Sequence, residues 1–501
     1  MHRVIPQPSA YSFSPSRRPA SDPLAISGPE WIKRTIELVS GHAPWPFLTV
    51  NDHGDVTVSG PATVPDETVD LPDAGYLLDI DDDRVCITCS TRSGLVAALR
   101  TLGQLQGTDG SLPIGQVTDQ PAFRYRGVHL DVGRHYFDTA FVRKYVRLIA
   151  ALGFNVFHWH LTDDQGWRFP VPAYPLLTEV GGYRTEADGS RYGGFYTEEE
   201  IADVVAYAHY LGVLVLPEIE LPGHARAALA AYPELSCRGE PINVWNQWGV
   251  CDDVFCAGND SVFEMLDAVF DQVVSLFPSR YVHLGGDECP KTRWNECAKC
   301  RARMEAEGCA SADELQSYFV GRAAHALQAR GRTAIGWDEI LEGGLPEGTI
   351  VMSWRGTDGG IQAAKQGHKV IMSPTDFCYF DYKQVDADDA PGFPFPGENG
   401  RPPVLTIEQV YRFDPLNGVT PEEAHHVIGG QANLWSEQLD TPELAEQMLA
   451  PRILAMSEAL WTAPAERDFK EFAMRARAWL HILEETGWAY GEAPELQDDI
   501  G

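Results

Sequence analysis

From Phe123 onward, short apolar runs alternate with longer stretches in which apolar residues recur every three or four positions. The runs read as buried strands and the stretches as amphipathic helices, so the order implies a parallel sheet joined by helical crossovers. Eight strands are expected, at 124–131, 153–159, 212–218, 280–286, 332–337, 349–354, 368–373 and 427–433. The first helix carries Phe141, Tyr145, Leu148, Ile149 and Leu152 on one face, with Asp138 as its N-cap. Thr197-x-x-Glu200 and Ser311-x-x-Glu314 read as capping boxes that open the helices before strands 3 and 5. Thr441-Pro442 opens the last barrel helix with proline at its first position. Eight such repeats over about 340 residues predict a (β/α)8 TIM barrel spanning 121–462.

Residues 1–120 predict a small α/β accessory domain. Its strand-like runs are Val56–Val58, Gly75–Ile80 and Val85–Thr88, followed by a helical stretch at Gly94–Leu102, with Leu112–Pro121 as the boundary segment. The chain after 462 is expected to form a tail, with an amphipathic helix over 468–486 packed on the barrel's outside.

Composition narrows the class of function. The chain has 501 residues, enough for a barrel and an accessory domain, and its 44% hydrophobic content is that of a globular protein. A formal net charge of −33 argues against nucleic acid or an anionic membrane as a partner. No apolar stretch reaches the roughly 18 residues of a membrane span. The first residues, Met1–Pro8, lack an apolar signal core, so a cytoplasmic location is expected. The oligomeric state is not legible.

Within this frame the chemistry centres on Tyr281-Val-His-Leu-Gly-Gly-Asp-Glu288. A strand ends in two glycines and then in adjacent carboxylates, Asp287 and Glu288. Neighbours in an ideal strand point to opposite faces, so both acids serve one site only if the backbone turns, which the glycines permit. Strand ends on the C-terminal face of a barrel are where catalytic groups collect. Six further motif stretches occur along the chain: Leu130-Asp-Val-Gly-Arg-His135, His158-Trp-His-Leu-Thr-Asp-Asp-Gln-Gly-Trp167, Pro217-Glu-Ile-Glu-Leu-Pro-Gly-His224, Gly336-Trp337, Ser353-Trp354 and Leu434-Trp-Ser-Glu437. Together, in this order from about Val4 to Trp461, they resemble the family 20 glycoside hydrolases, the β-N-acetylhexosaminidases.

That resemblance implies an exo-acting retaining glycosidase that removes terminal β-linked N-acetylhexosamine, GlcNAc or GalNAc, from oligosaccharides or glycoconjugates without metal or organic cofactor. In this family the substrate's own 2-acetamido carbonyl attacks the anomeric carbon and forms an oxazolinium ring. By resemblance Glu288 protonates the leaving oxygen and Asp287 accepts the acetamide N–H. Arg134 holds the 3- and 4-hydroxyls, Trp337, Trp354 and Trp435 wall the N-acetyl pocket, and Tyr379 bonds the acetamido oxygen. Asp381 and Glu437 take the outer hydroxyls, and Asp163, His160 and His224 support the acid from behind. Glu218 and Glu220 are expected near the mouth, in unassigned roles. Two other readings stay open: a disaccharide-releasing enzyme of the same family, and a non-catalytic sugar-binding barrel.

Ten cysteines complete the picture. Cys289, Cys297, Cys300 and Cys309 fit either a closed zinc site or reduced thiols in an insertion after strand 4. Cys237, Cys251 and Cys256 are expected to be reduced.

Overall fold

The computed structural model describes residues 4–19, 24–27, 31–32, 48–50, 56–60, 70–107, 109–342, 344–394 and 403–497. Eight parallel strands close into a barrel: β1 (Tyr125–Asp131), β2 (Val156–His160), β3 (Leu214–Leu221), β4 (Tyr281–Gly285), β5 (Thr333–Trp337), β6 (Ile350–Ser353), β7 (Val370–Met372) and β8 (Val427–Ala432), with β8 pairing back onto β1. Every residue of β1, β2 and β3 is buried. That follows from a sheet whose outer face is covered by helices and whose inner face is filled by side chains.

The helix signals act as the sequence implies. Asp138 caps Thr139–Ala151 by accepting from the Phe141 backbone N–H at 2.8 Å. Thr197 and Glu200 form both halves of a capping box. Ser311 accepts from the Glu314 backbone N–H, but Glu314 itself accepts from Ala310, one residue outside the expected box. After β5 the crossover shrinks to a single 3-10 turn, Asp338–Leu341. This turn keeps Asp338 and Glu339 at the barrel rim instead of carrying the chain away on a helix.

Among the described residues the accessory domain is a seven-stranded sheet backed by the helix Arg92–Leu105. The segment expected as the boundary is instead one of its strands, Leu112–Asp119, paired with Ala10–Arg18 and with Tyr76–Ile80. Alternating burial along Tyr76–Ile80 and Val85–Cys89 marks one face turned to the helix. The domain meets the barrel where the Trp461 indole donates to Asp119 at 3.1 Å and the Arg100 guanidinium lies over the same ring. The helix Phe469–Glu485 packs on the barrel's outside, with Phe472 stacked on Tyr411.

Candidate active site

The C-terminal ends of the strands converge on a cavity of about 390 Å³ lined by Arg134, Asp287, Glu288, Trp337, Trp354, Tyr379, Asp381, Trp435 and Glu437. A wider cavity of about 500 Å³, lined by Gln384, Gln447, Leu480 and Tyr490, contains none of these residues.

The acid pair depends on two glycines. Gly285 and Gly286 have φ values of +65° and +97°, and a Cβ on Gly285 would lie 1.6 Å from the buried Glu220 carboxylate. Only glycine fits there. Glu288 follows with φ +44°, a left-handed conformation that is uncommon for a side-chain-bearing residue and collects at functional sites. The turn sets the two neighbours in different environments around one imidazole. The His224 Nε2 lies 3.7 Å from a carboxylate oxygen of each. Asp287 is buried, and its Oδ1 has no hydrogen-bond partner among the described residues. The Glu288 side chain is 43% exposed to the cavity.

Their titration follows from these surroundings. Burial pushes the Asp287 carboxyl above the ordinary range, and the nearby Glu288 and Glu218 carboxylates add to that while His224 opposes it. The His224 imidazole beside it holds Glu288 below its ordinary range, against the effect of partial burial. A ligand covering Glu288 removes water from it, and desolvation raises a carboxyl toward the neutral acid. Burial works against charge on His224, but Asp163, Asp164 and Glu288 outweigh it and hold the imidazole protonated.

Behind His224 stands a chain of polar contacts. Its Nδ1 is 3.2 Å from Asp163 Oδ1, and Asp163 Oδ2 is 2.9 Å from His160 Nε2 and 3.0 Å from Arg134 Nη1. His160 is fully buried and does not line the cavity. Burial disfavours its charge, yet Glu218 and Asp163 push it up to about 10. Asp163 thereby fixes both His224 and Arg134, tying the imidazole beside the acid pair to a guanidinium that lines the same cavity. Arg134 also lies under the Trp435 ring at 5.0 Å and reaches within 3.9 Å of Glu437.

The walls are aromatic. Trp337 and Trp435 sit 5.9 Å apart at 46°, and Tyr379 stacks on Trp354 at 6.1 Å. Two acids hold the indoles from outside. Trp337 Nε1 donates to Glu218 at 3.0 Å, and Trp354 Nε1 donates to Glu339 at 2.9 Å. Asp381 is buried with Oδ1 unpartnered among the described residues, and burial, reinforced by Glu437, pushes its carboxyl well up.

Glu218 is not near the mouth. It lies fully buried inside the barrel beneath Trp337, 2.5 Å from His160, 3.1 Å from His158 and 2.7 Å from His283. Glu220, also buried, underlies Gly285. Burial opposes charge on Glu218, but the surrounding imidazoles hold it ionised, well below the ordinary range. Three contributors escaped the sequence reading. Glu339 is half of a second pair of strand-end acids, the same signal that exposed Asp287 and Glu288. Trp248 and Val250 hang over the cavity from the long loop after β3, and an aromatic residue in a polar, glycine-containing loop was the available sign.

Because the walls hold position more than they supply area, we expect Trp435→Ala and Trp337→Ala to lower kcat as well as affinity. A misplacement of about 1 Å at the reacting atoms costs on the order of 10²-fold. Steady-state kinetics with an aryl 2-acetamido-glycoside checks this, and a change confined to KM would contradict it.

Comparison with known proteins places the chain. Residues 123–464 match glycosyl hydrolase family 20, catalytic domain, and residues 1–120 match domain 2 of that family. A β-hexosaminidase of Porphyromonas gingivalis is 45% identical over 422 residues, which cover 82% of this chain and 53% of the relative. This chain thus spans about half the length of that relative. Among solved structures, a family 20 exo-β-N-acetylglucosaminidase of Vibrio harveyi in complex with N-acetylglucosamine superposes with a TM-score of 0.85 at 30% identity, covering 98% of this chain and 78% of that one. An N-acetyl-β-hexosaminidase of Streptomyces plicatus in complex with Thio-NAglucal gives 0.84 at 27% identity, covering 99% and 97%.

Proposed function

The chain belongs to glycosyl hydrolase family 20, and from that premise we propose that it releases terminal β-linked N-acetylhexosamine from the non-reducing ends of oligosaccharides or glycoconjugates, with retention of configuration. The observation that carries this reading is one cavity holding a buried carboxylate with a free acceptor, an exposed carboxylate beside it, and a box of four aromatic rings.

The chemistry follows from the placement. Ordinary retaining glycosidases use two carboxylates about 5 Å apart that flank the scissile bond from opposite sides. Here both approach the same imidazole from adjacent positions in the chain, which suits two acids on one side of the reaction. The nucleophile is then the substrate's acetamido carbonyl. Trp337, Trp354, Trp435 and Tyr379 hold it against the anomeric carbon, the proximity contribution. Asp287 accepts the acetamide N–H on its free Oδ1 and balances the positive charge that grows on nitrogen as the ring closes. Glu288 gives its proton to the leaving oxygen, then takes one from the water that opens the oxazolinium. Arg134, Glu437 and Asp381, which line the same cavity, take the ring hydroxyls in this reading.

Asp381 and Glu437 in the cavity lining, read as partners of a terminal sugar's outer hydroxyls, favour an exo-enzyme over release of a disaccharide. Charge of −33 disfavours nucleic acid as a partner, and among the described residues no helix is long and apolar enough to cross a membrane. A cytoplasmic site of action is part of the proposal, in keeping with ten cysteines none of which is in a disulfide. The test of activity is release of an aryl group from β-N-acetylglucosaminide and β-N-acetylgalactosaminide. Binding of the free sugar without any turnover would favour the non-catalytic barrel.

A further inference from the structure

The four thiols expected to cluster after strand 4 do not form one group. Cys289 and Cys309 stand apart, and Cys297 and Cys300 meet Cys237 and Cys256 from two earlier parts of the chain. The Sγ atoms of Cys237 and Cys300 are 3.7 Å apart, those of Cys256 and Cys297 3.8 Å, and those of Cys256 and Cys300 3.6 Å. All four lie within 4.8 Å of one another. A tetrahedron of sulfurs around zinc, with Zn–S bonds of about 2.3 Å, has edges of about 3.8 Å. A disulfide would need about 2.05 Å.

The surroundings are shaped for this approach. Cys297 caps the helix Ala298–Glu307 and Cys300 lies in its first turn, where the helix N-terminus favours the thiolate. Gly258, two residues after Cys256, rests directly on that turn. A Cβ there would come within 2.2 Å of the Lys299 carbonyl carbon and 2.5 Å of the Cys300 nitrogen. Cys256 and Cys300 are fully buried and Cys297 nearly so.

We propose that Cys237, Cys256, Cys297 and Cys300 bind one structural zinc ion as a closed tetrathiolate. An all-sulfur set selects zinc among the common divalent ions, and four protein ligands leave no position for substrate. Binding converts the thiols to thiolates and releases their protons. The ion clips the loop after β3 to the segment after β4. Cys237 and Cys256 also bracket the loop that carries Trp248 and Val250 over the cavity, so the metal closes that loop at its base.

The test begins with metal analysis of the full chain, purified without added metal or a metal-binding tag. One zinc per chain is expected. Replacing the ion with cobalt(II) should give the intense thiolate charge-transfer and visible bands of a tetrahedral sulfur site. Cys256→Ser and Cys300→Ser should lose the ion, whereas Cys289→Ser and Cys309→Ser keep it. Chelation should lower Tm and raise KM for the aryl glycoside several-fold, with kcat changed less. The kinetic arm rests on the proposed sugar pocket, and the metal content does not, so the two readings fail separately. Zinc-free protein with all four thiols titratable, or disulfides among the four by mass spectrometry, would overturn the proposal even if the variants do not fold.

Discussion

Replacing Glu288 with Gln is expected to cut turnover of natural sugar substrates by about 10²- to 10⁴-fold, the usual contribution of a general acid, and to cost far less with activated aryl leaving groups. The isostere preserves size and a polar contact to His224 but has no proton to give. A sugar alkoxide leaves badly without one, and a nitrophenolate leaves well. The loss should therefore grow with the leaving group's pKa. The placement of Glu288 supports this, since its side chain is open to the cavity and, among the described residues, pairs with His224 at 3.7 Å. Rates for a series of aryl glycosides spanning leaving-group acidity check it. An equal loss across the series would assign Glu288 to a step other than departure of the aglycone.

Asp287→Asn is expected to fail differently. Asp287 acts on the acetamide during ring closure, so its loss should slow every 2-acetamido substrate by on the order of 10²- to 10³-fold, the scale for removing one preorganised electrostatic partner, whatever the leaving group. The free Oδ1 of Asp287 is the acceptor that Asn can present only in the wrong sense, or without charge. A thiazoline that mimics the oxazolinium should bind the wild type well and the variant poorly. Mass spectrometry should find no sugar ester on Asp287, and finding one would make Asp287 the nucleophile.

Why so much of this was legible follows from the periods of the two element types. Strands such as Val156–His160 and Leu214–Leu221 are continuously apolar or motif-bearing between helices with clear caps, so the barrel could be read from alternation alone. Closure of the barrel then carries residues 134, 224, 287, 337 and 435 to one face whatever their separation along the chain. The inner layer was harder. Period two puts Glu218 and Glu220 on one side of β3, but not whether that side opens at the mouth or lies under it. The cysteines were harder still. Cys237 and Cys300 meet across 63 positions, and only the packing of the post-β3 loop on the post-β4 helix brings them together. Spacing within one segment pointed instead to Cys289 and Cys309, which join no such cluster among the described residues. The division after residue 120 agrees with the two family matches, but Leu112–Asp119 read as a linking segment because proline and glycine fall within a true strand, where it pairs across a bulged neighbour.

The mechanism turns on the substrate's own acetamido carbonyl acting as the nucleophile. The most direct measurement is kcat/KM for one aryl glycoside carrying N-acetyl, N-fluoroacetyl, N-difluoroacetyl and N-trifluoroacetyl groups in turn. Each fluorine withdraws electrons from the carbonyl oxygen while changing its size little. This mechanism predicts a steep, monotonic fall along the series. A flat series would contradict it, because a carboxylate nucleophile on the protein would not feel the substitution.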